Sequence, residues 1–269
     1  MKKIDAKNLR LFYVLNFVIF IIMFCITGFV ISLEPPTWVK TVMINLCAWI
    51  STFIIIALYR KFYPGVTVKQ YFKMHFGARL KWQPFVGAFL IQLVIILVAS
   101  FFVFQNKKME FAGLTCIPLS TILLQMVSHI FGGATGEELG WQGFALNKLQ
   151  KYYSPIKATF IDSFLWGIWH FPILLISGYA GLKLVTYIVV FLLALMAFSV
   201  FSNYFYNKTK TIFISMWMHF LFNLFFGIAS LVLGIDALNL LIPVCVGYCI
   251  VAVIILLKLK GKKSASEIV

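Results

Sequence analysis

The sequence GGATGEELGWQGF, residues 132–144, places two adjacent carboxylates, Glu137 and Glu138, in an otherwise apolar part of the chain. The run from Ile117 to Thr135 before them contains no Asp, Glu, Lys or Arg. An ionised carboxylate at the bilayer centre costs about 2.5 to 3.5 kcal/mol on insertion scales, so such residues usually face a cavity or a partner. The glutamate pair is therefore predicted to mark a functional site within a membrane helix or at its edge.

The composition predicts a polytopic membrane protein. Of 269 residues, 62% are hydrophobic and 12% are charged, against roughly 25% charged residues in a soluble domain. Apolar runs of about 20 residues, the length that crosses a bilayer, recur along the whole chain. They predict an all-α fold with about eight transmembrane helices, near residues 11–32, 40–59, 84–104, 117–136, 156–176, 183–205, 211–234 and 238–257.

The eight spans are predicted to form one membrane domain, residues 11–257, between an N-terminal segment 1–10 and a tail 258–269. If both termini are cytoplasmic, the inner segments hold 19 of the 23 Lys and Arg residues, as the positive-inside rule expects. This rule also explains the net charge of +15, so no nucleic-acid partner is expected. The richness in Ile, Phe, Lys and Asn suggests a low-GC bacterium, and hence a bacterial cell membrane.

Two further features lie outside the polar site. Residues 66–82 mix basic and aromatic side chains, which is typical of a helix in the inner interface, and no ligand role is expected for His75 within it. The five cysteines are predicted to be free thiols, because none forms a C-x-x-C pair.

Two more polar groups lie in apolar segments far from the glutamates in sequence. His170 ends FLWGIWH, and His219 lies with Asn223 in MWMHFLFN. Trp166 and His170 are four residues apart, as are His219 and Asn223, so each pair shares one face of its helix. If the helix carrying Glu137 continues to the next turn, Glu137 and His170 both lie roughly 20 Å from that turn, and antiparallel packing brings them level. By the same count His219 lies only about 12 Å from its own turn, a difference that sequence leaves open.

The glycines around the carboxylates predict close packing of this helix. Gly132, Gly136 and Gly140 recur every fourth residue. Small residues at this spacing let helix backbones approach one another in lipid. Packing alone is a sufficient explanation for these glycines.

The order GEELGWQGF, FLWGIWHFP and HFLFN resembles the CAAX-protease and bacteriocin-processing family of intramembrane proteases (CPBP, or Abi). That family carries the motifs E-E-x-x-x-R, F-x-x-x-H and H-x-x-x-N/D in this order on successive membrane helices. One motif is a weak signal, but three in order are fairly specific. The resemblance implies that Glu137, beside Glu138, polarises the attacking water, that His170 shares this water, and that His219 and Asn223 stabilise the oxyanion.

Family members are also described as metalloproteases in which the glutamate and the histidines bind the metal. Glu137, His170 and His219 could hold Zn²⁺ with one open position. The sequence has no local H-E-x-x-H pattern to favour this arrangement. We therefore prefer a glutamate mechanism without a cofactor and keep Zn²⁺ as the alternative.

The chain departs from the family motifs at two positions, both candidates for substrate contact or support of the site. Trp166 replaces the Phe of the second motif and keeps an aromatic wall. Gln142 replaces the Arg of the first motif, and it offers Glu138, one turn away, a neutral hydrogen bond where Arg would form an ion pair. This substitution puts substrate recognition, rate or activity itself in doubt.

The preferred hypothesis is an intramembrane endopeptidase acting on a membrane-associated peptide or a lipidated, CAAX-like protein tail that enters from the cytoplasmic leaflet. Its partners would be that substrate and the lipid bilayer, and the sequence does not determine an oligomeric state. One alternative is a catalytically impaired relative that acts in bacteriocin immunity or as a scaffold. A second is a proton-coupled transporter, since carboxylates and histidines in spans also mark proton paths. The missing inverted repeat counts against a transporter.

Overall fold

The computed structural model describes residues 3–266, and every regular element in that range is helical. Fourteen α-helices follow one another, joined in places by one short 3₁₀ and two π-helical segments. In chain order they are α1 Lys3–Ser32, α2 Thr37–Ala48, α3 Ile50–Ala57, α4 Tyr59–Phe62, α5 Val68–Phe76, α6 Trp82–Asn106, α7 Leu119–His129, α8 Thr135–Gly140, α9 Asn147–Leu149, α10 Pro155–Trp169, α11 Phe171–Leu175, α12 Gly181–Thr209, α13 Ile212–Leu233 and α14 Ala237–Ser266.

Within residues 3–266, five helices are long and apolar enough to cross a membrane: α1, α6, α12, α13 and α14. The pair α2–α3, bent by 56°, makes a sixth span if it crosses as one unit. The all-helical membrane fold is therefore confirmed, whereas the predicted count of eight spans is not.

The two remaining predicted spans are interrupted. The span expected near 117–136 breaks after α7, where Gly132 and Gly133 leave helical geometry. The span expected near 156–176 is split at His170 into α10, of 15 residues, and the short α11, whose first turn contains Pro172. Fifteen helical residues extend about 22 Å, less than the ~30 Å of bilayer hydrocarbon. Both interruptions occur where the chain carries its polar motifs.

Helix α12 occupies the centre of the bundle and packs against α10, α13 and α14. Helix α6 completes this group through α13 and α14, while α1 packs on α2 and α3. The core is rich in aromatic side chains: Trp141, Trp169, Phe12, Phe20 and Phe198 are among its largest fully buried members. Such rings supply much of the buried area of a core.

The glycines spaced by four lie against the bent helix pair α2–α3. A Cβ built on Gly132 would lie 2.6 Å from Asn45 Oδ1, one on Gly136 2.7 Å from Trp49 Cδ1, and one on Gly140 2.5 Å from the Ser51 Cβ. Each is closer than a real Cβ contact allows. The predicted close helix packing is confirmed, and its partner is α2–α3.

Candidate functional site

A break in the backbone positions the glutamate pair. Gly132 has φ −102° and ψ 72°, and Gly133 has φ +126° and ψ −72°, a conformation that residues with a Cβ rarely adopt. Two carbonyls freed at this break find donors: Trp49 Nε1 donates to Phe131 O at 2.6 Å, and Thr135 Oγ1 donates to Ile130 O at 2.6 Å. The chain then re-enters a helix, α8, with both glutamates in its first turn.

Two hydroxyl groups of α3 fasten α8 in place. Ser51 Oγ lies 3.1 Å from the carbonyl oxygens of both Gly136 and Glu137, and Thr52 Oγ1 donates to Gly136 O at 2.6 Å. All of these groups are buried. The backbone that carries the glutamates is therefore held by buried hydrogen bonds from α3.

Glu137 and His170 lie level, as the depth estimate from sequence predicts. Glu137 Oε2 accepts a hydrogen bond from Trp166 Nε1 at 2.7 Å and lies 3.8 Å from His170 Nε2. His170 Nδ1 lies 2.8 Å from the Trp166 carbonyl oxygen. Because a carbonyl only accepts, Nδ1 carries a proton, which leaves Nε2 of the neutral ring as a base facing Glu137. Trp166 therefore contacts both Glu137 and His170, in addition to the role of aromatic wall that the sequence predicts.

Glu138 pairs with the other histidine. Its Oε1 lies 2.8 Å from His219 Nδ1, and its side chain is fully buried. The structure therefore brings His219 to the depth of the glutamates despite its shorter distance from the chain turn. This bond fixes the ring, so His219 presents only its Nε2 atom to the rest of the site.

Gly133 marks the point where the first and third motifs meet. A Cβ on Gly133 would lie 3.3 Å from Glu137 Oε1, 3.4 Å from His219 Nε2 and 3.4 Å from Asn223 Nδ2. The absent side chain leaves a space within hydrogen-bonding reach of a carboxylate, an imidazole and a carboxamide. Sequence reasoning treated the glycines as packing residues and missed this role; the signal available was the Gly132–Gly133 doublet inside a helical run.

A cavity of about 60 Å³ adjoins the site. It is lined by His170, His219 and Asn223 together with aromatic and aliphatic side chains. That volume holds a few waters. A peptide segment does not fit within it.

The helical spacing of four predicted a hydrogen bond between Gln142 and Glu138. The structure does not contain this bond. Gln142 Nε2 donates to Ser202 Oγ of α12 at 3.1 Å, and its Oε1 accepts from Ser215 Oγ of α13 at 2.7 Å. All three side chains are buried. Ser215 lies one turn before His219, so Gln142 holds the helix that carries that histidine.

The positions of the donor atoms bear on the metal alternative. Among residues 3–266, no group of three or more His, Cys, Asp and Glu side chains converges as metal ligands would. Glu137 Oε2 accepts a hydrogen bond from Trp166 Nε1, and His219 Nδ1 contacts Glu138, so Glu137 Oε1 and His219 Nε2 lie outside these two bonds. The mechanism proposed below is written without a metal, and Zn²⁺ held by Glu137, His170 and His219 stays the alternative.

The fold and this site define a class: an all-helical integral membrane protein with a polar centre between its helices, formed by the buried Glu137, Glu138 and His219 and the half-buried His170 and Asn223. Three separate segments supply that centre, α8, the α10–α11 junction and α13.

Comparison with known proteins shows what the chain is similar to. Residues 119–225, which run from α7 to α13 and contain all three motifs, match the family model "Type II CAAX prenyl endopeptidase Rce1-like". The chain is also 28% identical over 137 residues to CAAX prenyl protease 2 of Methanococcus maripaludis, an alignment that covers 49% of this chain and 50% of that relative. The match thus spans about half the length of the curated relative. These matches support the assignment of the chain to the CPBP family, and the resemblance seen in the motifs is confirmed.

Proposed function

We propose that this protein is an intramembrane endopeptidase that hydrolyses a peptide bond in a membrane-associated peptide or a lipidated protein tail. The observation that carries the proposal is the convergence of Glu137 Oε1, His219 Nε2 and Asn223 Nδ2 on the space over Gly133. A carbonyl carbon with its oxygen directed at the last two groups would lie beside the carboxylate. The match to a CAAX prenyl protease supports this reaction class.

In the proposed reaction, Glu137 and His170 Nε2 bind the attacking water. Their 3.8 Å separation lets one water beside the line between them hydrogen-bond both groups. Glu137 takes a proton as the water oxygen bonds to the carbonyl carbon. It then gives that proton to the leaving nitrogen as the peptide C–N bond breaks. Such proton transfers contribute about 10²- to 10⁴-fold in rate.

His219 and Asn223 are proposed to stabilise the oxyanion of the tetrahedral intermediate. Burial of the Glu138–His219 pair costs the least free energy when the net charge of the pair is zero. One proton then lies between Glu138 Oε1 and His219 Nδ1, which are 2.8 Å apart, and a second proton is on His219 Nε2. Nε2 then carries a proton whichever atom holds the shared one. Donors fixed at a developing charge in a site that excludes water act strongly. Glu138 is therefore proposed as the group that keeps His219 a donor.

An apolar groove next to the backbone break supports a membrane-embedded substrate. It has a volume of about 380 Å³ and is lined on one side by Ile130, Ala134 and Thr135 and on the other by Trp217 and Phe220 of α13. Ala134 follows Gly133 directly, so the groove runs along the wall of the site. We propose that an apolar segment or lipid group of the substrate lies here.

The test is cleavage by the purified protein in bilayers, with lipidated and unmodified peptides, in the presence and absence of a chelator. Wild type and Glu110→Ala, a control at an exposed loop carboxylate, are expected to cleave equally, and His170→Ala to lose cleavage. Insensitivity to the chelator would support the metal-free mechanism. Loss of cleavage with the chelator, restored by Zn²⁺, would contradict it.

The impaired-relative alternative rested on Gln142, and the test separates it. Absence of cleavage in wild type and variants alike, for every peptide, would favour an immunity or scaffold role. A proton flux that disappears in Glu137→Ala, without any cleavage, would favour the transporter.

A further inference from the structure

A basic pocket lies beyond the catalytic centre, beside the same helical run. It has a volume of about 450 Å³. Its polar lining includes His75, Asn147, Lys148, Lys151, Tyr206 and Lys210. None of these residues takes part in the proposed proteolysis. The pocket is large enough, and charged enough, to hold a ligand of its own.

The charges in this pocket favour an anion. Lys148 Nζ forms an ion pair with Asp5 at 2.7 Å. Lys151 and Lys210 are exposed and form no ion pair within residues 3–266. The pocket thus has the ammonium groups of three lysines and, beside them, one carboxylate, that of Asp5. The positive charge of the pocket is therefore not fully neutralised.

A buried histidine in the pocket lacks hydrogen-bond partners. His75 is only 4% exposed, and neither of its ring nitrogens has a partner among the described residues. Its Nδ1 lies 3.5 Å from where a Cβ of Gly143 would be, and the residue forms part of the pocket lining. Burial lowers the pKa of His75 to about 4, which keeps the ring neutral near pH 7. A neutral ring offers one donor, and an unpaired buried donor is costly unless a ligand satisfies it.

The pocket lies at the level of the helix ends. Asp5 is in the first turn of α1, Lys210 caps the C-terminus of α12, and Lys151 follows α9. The exposed Met74 of α5 lines the pocket, and Phe72 is a further exposed apolar residue of this helix. Such apolar residues beside lysines are typical of a helix in the membrane interface. Basic pockets at this depth are suited to lipid headgroups.

We propose that this pocket binds a phosphate group, supplied by an anionic phospholipid headgroup or by free phosphate, through Lys151, Lys210 and the ring of His75. The site is continuous with the catalytic helix, because Gly143 and Asn147 follow Glu138 within the same helical run. An occupied pocket would join α5 to the helix that carries the glutamates. The proposal does not depend on proteolysis.

The test is native mass spectrometry of the full chain in an uncharged detergent with short-chain phosphatidylglycerol or phosphatidylcholine. Wild type is expected to retain phosphatidylglycerol in preference. Lys151→Gln with Lys210→Gln should weaken retention roughly tenfold or more, since a lysine near an anionic lipid contributes about 1 kcal/mol. The matched control, Lys69→Gln with Lys73→Gln, removes two exposed lysines of α5 outside the pocket and should leave retention unchanged.

Two further arms complete the test. His75→Phe keeps a ring and removes both nitrogens, and it should also weaken retention. Displacement of the lipid by excess inorganic phosphate would show that free phosphate shares the site, whereas retention would show that the lipid form is bound. Equal retention by wild type, the Lys151/Lys210 variant and His75→Phe would overturn the proposal, as would equal retention of the two lipids by wild type.

Discussion

Gly133 has no side chain at the point where one polar atom of α8 and two of α13 come together. Its φ of +126° disfavours any other residue, at a cost of about 1–3 kcal/mol. A methyl group would also fill the space into which the substrate carbonyl is proposed to fit. The absent Cβ is therefore both a backbone requirement and a feature of the site.

Gly133→Ala is expected to lower the rate of peptide cleavage by about 10²-fold or more, because misplacement of reacting groups by ~1 Å costs that much. The measurement is turnover at equal amounts of folded protein. Gly28→Ala is the matched control: a Cβ on Gly28 meets no atom within 4 Å. Wild-type turnover in Gly133→Ala would show that the space over this residue is not used.

Gln142 connects three elements through its two hydrogen bonds to Ser202 and Ser215. Gln142→Ala leaves both hydroxyls buried without this partner, and each unsatisfied group costs about 1–3 kcal/mol. We expect a lower midpoint of thermal unfolding and a reduced cleavage rate.

The control for Gln142 removes all three polar groups together. Gln142→Met with Ser202→Ala and Ser215→Ala should recover most of the lost stability, since deleting both partners of a hydrogen bond is nearly neutral. If Gln142→Ala unfolds at the wild-type temperature, or if the triple variant is as unstable as Gln142→Ala, the network does not hold these helices.

At the level of elements, the groove beside the Gly132–Gly133 break is the proposed position for the apolar part of the substrate. Met216→Trp on α13 places a larger side chain in this groove. The variant is expected to raise KM for a lipidated peptide several-fold and to change kcat little, because it obstructs binding and not chemistry.

Val246→Trp, at an exposed position of α14, introduces the same ring elsewhere on the lipid-facing surface and should leave KM unchanged. Kinetics with lipidated and unmodified forms of one peptide provide the comparison. An unchanged KM in Met216→Trp would place the substrate elsewhere.

The sequence predicted the elements that bear the site but not how they break. Helical spacing correctly joined Trp166 to His170, and the depth count brought Glu137 level with His170. Periodicity describes one helix at a time, so it missed the bond from Trp166 to Glu137 and the partners of Gln142 on α12 and α13. It also extended apolar runs into spans, because hydropathy does not report the φ and ψ angles that interrupt α7 and α10.

At the level of the whole molecule, the orientation in the membrane remains a prediction from the distribution of Lys and Arg. It places the exposed Cys116, in the α6–α7 connection, outside and Lys210 inside. An impermeant maleimide should label Cys116 in intact cells. A Lys210→Cys variant that also carries Cys116→Ser should label only after permeabilisation, and the reverse pattern would invert the orientation.

Glu137 is proposed to act as the base for peptide hydrolysis in the membrane. The most direct measurement is the cleavage rate of a lipidated peptide by Glu137→Gln in bilayers, since this change keeps the shape of the side chain and removes its basicity. We predict a loss of about 10²- to 10⁴-fold relative to wild type, with folding unchanged. Cleavage by Glu137→Gln at the wild-type rate would contradict this account of the site.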